Sequence, residues 1–410
     1  MNFKVKILSY KEIYFNGKTK LFYLSKSRKK FVVFFLIILI IIYKLYYIIE
    51  SHIILDNITY KENFTSKNKA FEKGKKYITL CLKGILINNQ KFQISKNPKV
   101  TIIIPIYNTG ELIKLIIRSI QNQNFSDIEI IIVNDNSKDN STVQILEKLK
   151  SEDPRIVILN NQKNMGILYS RSIGVLKSKG EYIMNLDHDD FIFDEDVFDT
   201  TYKSAKRGNF DIISFAYVIS KDYNFEIKDN WYINIPHNYV VSQPMLSSYP
   251  LFAKDKFRYH DYTIWAKLYK NSTYKKAVNF LTFERYSVFN TYNEDLIGLF
   301  TICNVADNYK YIRKYGVYHK DYVNSTSHVA KKEKTIYDDI FFSEIILDLG
   351  KNQFKKYGAI FLNSRVKLSN DENNQYLLKV INKILNNKYI DKKYKKKIKL
   401  NFGELIMNNG

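Results

Sequence analysis

Cysteine is all but missing from this 410-residue chain: Cys81 and Cys303 are the whole supply. They could form one disulfide at most, so a disulfide framework is excluded, and no Cys/His spacing suited to a metal is present. Redox compartment stays undecided by so few thiols. Acidic residues are also in deficit, 41 Asp and Glu against 64 Lys and Arg, giving a formal net charge of +23. A basic balance suits anionic partners such as nucleic acid, a membrane surface or phosphorylated small molecules. A Lys- and Asn-rich coding bias would produce the same excess, which concentrates in the first 30 residues and in Lys388–Lys399. No internal repeat is evident. What is present is a folding composition, 45% hydrophobic and 15% aromatic, long enough for one large domain or two ordinary ones.

Phe31 to Tyr43 is an unbroken apolar run, and Leu45–Ile49 extend it beyond Lys44 to 19 positions. A helix of about 20 residues spans a bilayer's hydrocarbon core, and a lysine near its end can snorkel to the headgroups. A buried core helix would show a polar face, and a cleaved signal peptide a short n-region and a small-residue cleavage site. Neither is seen, so residues 31–49 read as a single transmembrane helix. The basic tail, residues 1–30, then lies in the cytosol and residues 50–410 across the membrane, with a cytosol-facing arrangement as the alternative.

Residues 50–98 are polar and weakly patterned, and read as a stem. From Lys99 the texture changes. Val100–Ile104 is a β-branched run ending at Pro105, as in a strand buried on both faces. Leu112, Ile113, Ile116, Ile117 and Ile120 form a helical stripe. Strands are expected at 128–133, 155–159, 181–186 and 211–218, and helices at 139–150, 166–178 and 197–206, the last closed by Gly208. Strands alternating with helices predict an α/β fold with a doubly wound, mainly parallel sheet. Residues 331–410 read as a C-terminal helical extension.

Open α/β sheets bind ligands beyond the carboxyl ends of their strands. Four segments fall there. After the first strand, Tyr107 could stack on a flat base. After the second, the Asp135 carboxylate could accept a base imide N–H, although an Asx-turn or helix cap would use the same residue type; Ser137 and Asp139 are cap-type residues. In Asn164–Arg171, Gly166 permits close backbone approach and Arg171 offers a fork for phosphate oxygens. After the fourth strand comes Asp187-His188-Asp189-Asp190, where carboxylates repel one another unless a cation sits between them. A hard divalent ion bound to a diphosphate suits such oxygen ligands.

VTIIIPIYN, IIIVNDNSKDNS, NMGILYSRSIG and EYIMNLDHDD together resemble the family-2 glycosyltransferases, nucleotide-sugar enzymes of the GT-A fold, a Rossmann-like sheet. The resemblance covers about residues 99–220, with weaker matches to about 330, so residues 99–330 are expected to form the GT-A domain. It implies that Pro105, Tyr107 and Asp135 line a uridine pocket, that Arg171 lies near the diphosphate, and that Asp187 and Asp189 are the D-x-D pair for Mn2+ or Mg2+, Asp189 being the better metal ligand. Asn134, Asn136 and Ser172 depart from the family pattern, which bears on base specificity. Tyr292–Leu296 resembles the family's ED element, which makes Asp295 the expected general base and Glu294 its reserve. Trp265 resembles a residue near the acceptor loop. Tyr318–Ser327 looks like a closing loop, from which His319 or His328 would ligate the metal or Lys320 would touch the diphosphate; a structural or merely exposed role is the expected one for either histidine.

The resemblance thus implies a metal-dependent, inverting transfer from a nucleotide sugar, most readily a UDP-sugar, to a hydroxyl on a glycan, protein or lipid. A transferase-like sugar-binding protein without turnover is the alternative. A processive synthase would carry several spans and a Q-x-x-R-W element, which this chain does not, and no nucleic acid partner is expected. A domain across the membrane needs its donor there, which points to a Golgi or ER lumen. Sequons at Asn57, Asn63, Asn124, Asn140, Asn271 and Asn324 fit a lumenal domain.

Overall fold

The computed structural model describes residues 7–8, 12–13, 64–86, 92–220, 239–242, 246, 263–281, 294–320, 332–350, 352, 355–365 and 374–408. The chain divides into two compact units, residues 1–68 and 69–410. In the first, β1 (Ile7–Leu8) pairs antiparallel with β2 (Glu12–Ile13). The apolar run at 31–49 lies outside the described residues. Among those described, no helix is long and apolar enough to cross a membrane.

The second unit is built on a mixed sheet. After α1 (Phe64–Leu82) the chain runs through β3 (Val100–Ile106), α2 (Leu112–Gln121), β4 (Ile128–Asn134), α3 (Asn140–Glu152), β5 (Ile156–Asn160), α4 (Ile167–Lys177) and β6 (Tyr182–Asn185). Next come β7 (Phe191–Ile192), α5 (Val197–Gly208), β8 (Ile212–Ser220), β9 (Tyr239–Ser242), β10 (Lys267–Lys270), α6 (Asn271–Phe280), α7 (Glu294–Val305) and β11 (Asn308–Lys320). Among the described residues the strand order is β5-β4-β3-β6-β10-β8-β11-β7, with β9 also on β11. Strands β5, β4, β3 and β6 are parallel. The expected parallel continuation into β8 is interrupted by β10, which is antiparallel to both β6 and β8.

Every residue of β3 and β4 is buried. Their alternating side chains serve two cores, as a sheet covered on both faces requires. Ile102, Ile104, Ile130 and Ile132 meet α2 through Ile113, Ile116, Ile117 and Ile120. Ile103, Ile131 and Val133 meet Val175 of α4, Tyr274 of α6 and Leu299 of α7 on the other face. The stretch read as a stem contributes to the first core: Tyr77, Ile78 and Cys81 of α1 are buried in it, and the Tyr77 hydroxyl donates to Ser119 O at 2.5 Å. Cys81 and Cys303 are both buried free thiols. Asp139 caps α3 as its residue type suggested, accepting from Thr142 N at 3.0 Å. Helix α5 ends differently from expectation: Asn209, one residue past Gly208, takes the left-handed conformation, which asparagine tolerates.

The C-terminal extension is helical, with α8 (Lys332–Leu349), α9 (Lys356–Arg365), α10 (Asn374–Asn386), α11 (Lys392–Asn401) and α12 (Gly403–Asn408). Its first helix joins the domain core. Phe341, Phe342, Ile345 and Ile346 pack with Leu168 of α4 and Ile297 and Phe300 of α7.

Candidate active site

The parallel strands deliver their carboxyl ends to one edge, and the loops there are tied to each other. Asn108, in the left-handed region at φ 50°, donates through its backbone to Ser137 Oγ at 3.0 Å, and its side-chain oxygen accepts from Lys138 N at 2.8 Å. Tyr107 stands 43% exposed beside this junction, and Pro105 is buried within β3. Asp135 is buried and heavily engaged. Its Oδ1 accepts from Asn161 Nδ2 at 2.7 Å and Met165 N at 2.8 Å, and its Oδ2 from Gly166 N at 2.8 Å. The aspartate therefore fixes the entry to α4, where Gly166 holds φ 88°.

Arg171 leaves α4 one turn before Gly174. A Cβ at Gly174 would lie 2.6 Å from Ile103 Cγ2, so the glycine sets how closely α4 rides on β3. The guanidinium is buried and forked between two carboxylates: Nη2 donates to Asp187 Oδ1 at 2.5 Å and Nη1 to Asp295 Oδ1 at 2.7 Å. Burial alone would lower its pKa, but the charges of Asp187 and Asp295 raise it. Arg171 was expected to face a diphosphate; the structure gives it these two acidic partners, which are 108 residues apart, at positions 187 and 295.

On the strand side, Asp187 and Asp189 are half-buried and Asp190 is fully buried. Burial raises the pKa of Asp189, and the Asp187 charge adds to that. Asp190 is pushed up to about 7, by burial first, against the opposing pull of His319. Its Oδ1 lies 2.7 Å from His319 Nδ1, while Oδ2 has no hydrogen-bond partner. Burial would depress the His319 pKa, yet Asp190 carries it to about 9. Each group thus favours the charged form of the other. His319 stacks on Trp265, with ring centroids 4.6 Å apart and an interplanar angle of 17°. Trp265 is 5% exposed, a buried wall behind the histidine. His319 and Lys320 end β11, and His328 lies outside the described residues.

Glu294 and Asp295 open α7. Burial pushes Glu294 to about 8, with Asp295 adding repulsion; burial likewise raises Asp295, against the pull of Arg171. Asp295 also accepts a hydrogen bond from the backbone of Ile264. The turn carrying Ile264 and Trp265 is held by a lysine that sequence reading passed over. Lys267 is fully buried, and its Nζ donates to Thr263 O at 2.6 Å and Thr263 Oγ1 at 3.2 Å. The signal for it was a lysine inside the apolar stretch Trp265–Tyr269, where a buried charge demands fixed partners.

The three carboxylates of the acidic run offer hard oxygen donors, one of them the unpartnered Asp190 Oδ2, and these suit a divalent cation such as Mg2+ or Mn2+. Among the described residues no three His, Cys, Asp or Glu side chains converge to hold a metal by themselves.

Known proteins fit this arrangement. The model of glycosyl transferase family 2 matches residues 101–279. Over that stretch the chain is similar to the family-2 glycosyltransferases. It is 31% identical over 137 residues to glycosyltransferase GlyG of Streptococcus pneumoniae, covering 33% of this chain and 43% of that one. It is 33% identical over 168 residues to cholesterol galactosyltransferase of Borreliella burgdorferi, covering 41% and 43%. The chain thus spans less than half the length of these two curated relatives. Among solved structures, S. aureus TarS 1-349 in complex with UDP-GlcNAc superimposes with a TM-score of 0.52 at 15% identity, over 76% of this chain and 91% of that one. This likeness identifies the mixed sheet as a GT-A fold. The family match ends before Glu294 and Asp295.

Proposed function

We propose that the family-2 domain is a metal-dependent, inverting glycosyltransferase that moves a sugar from a UDP-sugar to a hydroxyl of a glycan, protein or lipid. The observation that carries the reading is the Arg171 fork. It ties the end of β6, on the donor side of a GT-A site, to the first turn of α7, where an acceptor-activating base is expected. Asp295, with its raised pKa and fixed by Arg171 and Ile264 N, accepts the proton of the acceptor hydroxyl. The freed oxygen attacks the anomeric carbon as its bond to the β-phosphate oxygen breaks, and the nucleoside diphosphate departs with the bond pair. One base with direct attack inverts the anomeric centre, with no carboxylate nucleophile. Asp189 and Asp187 would hold the divalent ion, with the diphosphate completing the shell, and Asp190 would orient His319 beside them. When bound there, the ion supplies positive charge against the charge that develops on the leaving group. Tyr107, exposed at the end of β3, offers its ring to the uracil. The solved complexes of TarS with UDP-GlcNAc and UDP support the choice of donor class. Lipid acceptors are named for the Borreliella relative and for a Campylobacter jejuni relative called GalNAc(5)-diNAcBac-PP-undecaprenol beta-1,3-glucosyltransferase, 24% identical over 217 residues.

The test is UDP release from a panel of UDP-sugars with Mn2+, by the full chain and by Asp189→Asn and Asp295→Asn. Each substitution should lower turnover about 100-fold or more. Absence of release with every donor, or turnover indifferent to both substitutions, sinks the proposal.

A further inference from the structure

We infer that α11 forms a docking face for an anionic lipid bilayer. This goes beyond the transferase reading and does not depend on it. Six of the ten residues of α11 are lysine. Ile398 turns inward, fully buried with Ile340, Leu362, Ile384 and Phe402, and so fixes which side of the helix faces out. Lys393, Lys396 and Leu400 recur at three- and four-residue spacing opposite Ile398, and therefore line the outward face. Lys392, Lys397 and Lys399 flank them and are exposed. Among the described residues none of these lysines is ion-paired to a carboxylate. Amid this charge Leu400 is 72% exposed, and Met407 of α12 is 75% exposed.

The mixture selects the partner. A polyanion held by phosphate contacts alone makes no use of an exposed leucine. An anionic bilayer uses both kinds of side chain, lysines for headgroups and the apolar side chain for the acyl boundary. Tyr389, 45% exposed just before the helix, is of the amphipathic type that sits at that boundary.

The experiment compares hydrogen exchange of the full chain in nanodiscs of phosphatidylcholine with exchange in nanodiscs containing phosphatidylglycerol. An inserted segment at 31–49 would be common to both, so the difference isolates the charge-dependent contact. Amides of residues 392–401 should exchange more slowly in the anionic discs. Lys393→Gln and Lys396→Gln should each reduce that protection about fivefold, and Leu400→Ser should reduce it as well. Exchange across β3 and β4 reports whether a variant keeps its fold, and the wild-type comparison stands without any variant. Equal exchange in the two discs overturns the inference. So does protection by a single-stranded oligonucleotide that exceeds protection by the anionic discs and is unchanged in Leu400→Ser, which would assign the face to nucleic acid.

Discussion

At the scale of single residues, the site gathers charged groups that are half-buried or fully buried. Lys267 is the extreme case, because its ammonium satisfies the backbone of the turn that hands a hydrogen bond to Asp295 and a ring to His319. Lys267→Met would remove the ammonium that donates to Thr263 O and Thr263 Oγ1, at about 1–3 kcal/mol, and would loosen that turn. The expected outcome is a lower midpoint in denaturant and a lower kcat, with UDP-sugar affinity by calorimetry nearly unchanged. Glu294 makes a separate prediction. Its folded pKa, about 8, lies above the ordinary 4.5. Between those values the folded state keeps a proton that the unfolded state has lost, so this group's contribution to stability falls as pH rises from about 4.5 to 8. Asp190, at about 7, acts in the same direction, and the raised His319 pKa extends the fall toward pH 9. Glu294→Gln should therefore flatten, without abolishing, the decline of Tm with pH; an unchanged slope would contradict the burial of its charge. Little of this was legible in the sequence. The acidic run, Asp135 and the ED pair stood out as residue types, but the partnership of Arg171 with Asp187 and Asp295 is a product of folding across long sequence separations. The Asp190–His319 pair was hidden for the same reason, whereas Lys267 bonds to near neighbours in sequence and its apolar context was the signal.

At the scale of elements, legibility tracked burial. Strands β3 and β4 announced themselves because a strand covered on both faces must be apolar at every position, and α2 because its isoleucines recur at helical spacing. Strand β10 was missed: its four residues, Lys-Leu-Tyr-Lys, carry no such signature, and its antiparallel insertion depends on two neighbours far away in sequence. Helix α1 was missed because its lysine-rich surface masks the few inward residues, Tyr77, Ile78 and Cys81. The seating of α4 is the element on which the site depends. Gly174→Ala would drive a methyl to within 2.6 Å of Ile103 Cγ2 and push the helix, with Arg171, off β3. Overpacking of this kind costs about 1–3 kcal/mol, partly offset by alanine's better helix propensity. Denaturant unfolding should show the net loss, and UDP release should fall further than stability alone would dictate, since the guanidinium fork moves too. Equal activity per folded molecule would separate α4's seating from catalysis.

At the scale of the whole molecule, the question is whether the C-terminal helices belong to the transferase domain or are merely appended to it. A boundary near residue 330 was the expectation, drawn where the family resemblance fades. The packing argues for a shared core there. Phe342 meets Phe300 of α7 edge-on, with ring centroids 5.7 Å apart, and Phe341, Ile345 and Ile346 cover Leu168 of α4 and Ile297 of α7. Those two helices carry Arg171 and Asp295, so α8 backs the elements that meet at the ion-pair fork. The later helices are attached through Glu344, which is buried yet accepts from the Tyr376 hydroxyl at 2.6 Å and from Lys383 Nζ at 2.5 Å. Removing α8 would strip apolar cover from Leu168, Ile297 and Phe300, whereas removing only α10, α11 and α12 would spare them. Phe342→Ala is the smallest version of the first change and should cost about 3–5 kcal/mol, lowering Tm and turnover together. A chain ending at residue 330 should yield no active soluble protein, and one ending at residue 365 should keep UDP release while losing the contacts to Glu344. Full activity in the chain ending at 330 would show that the transferase domain closes its core without α8.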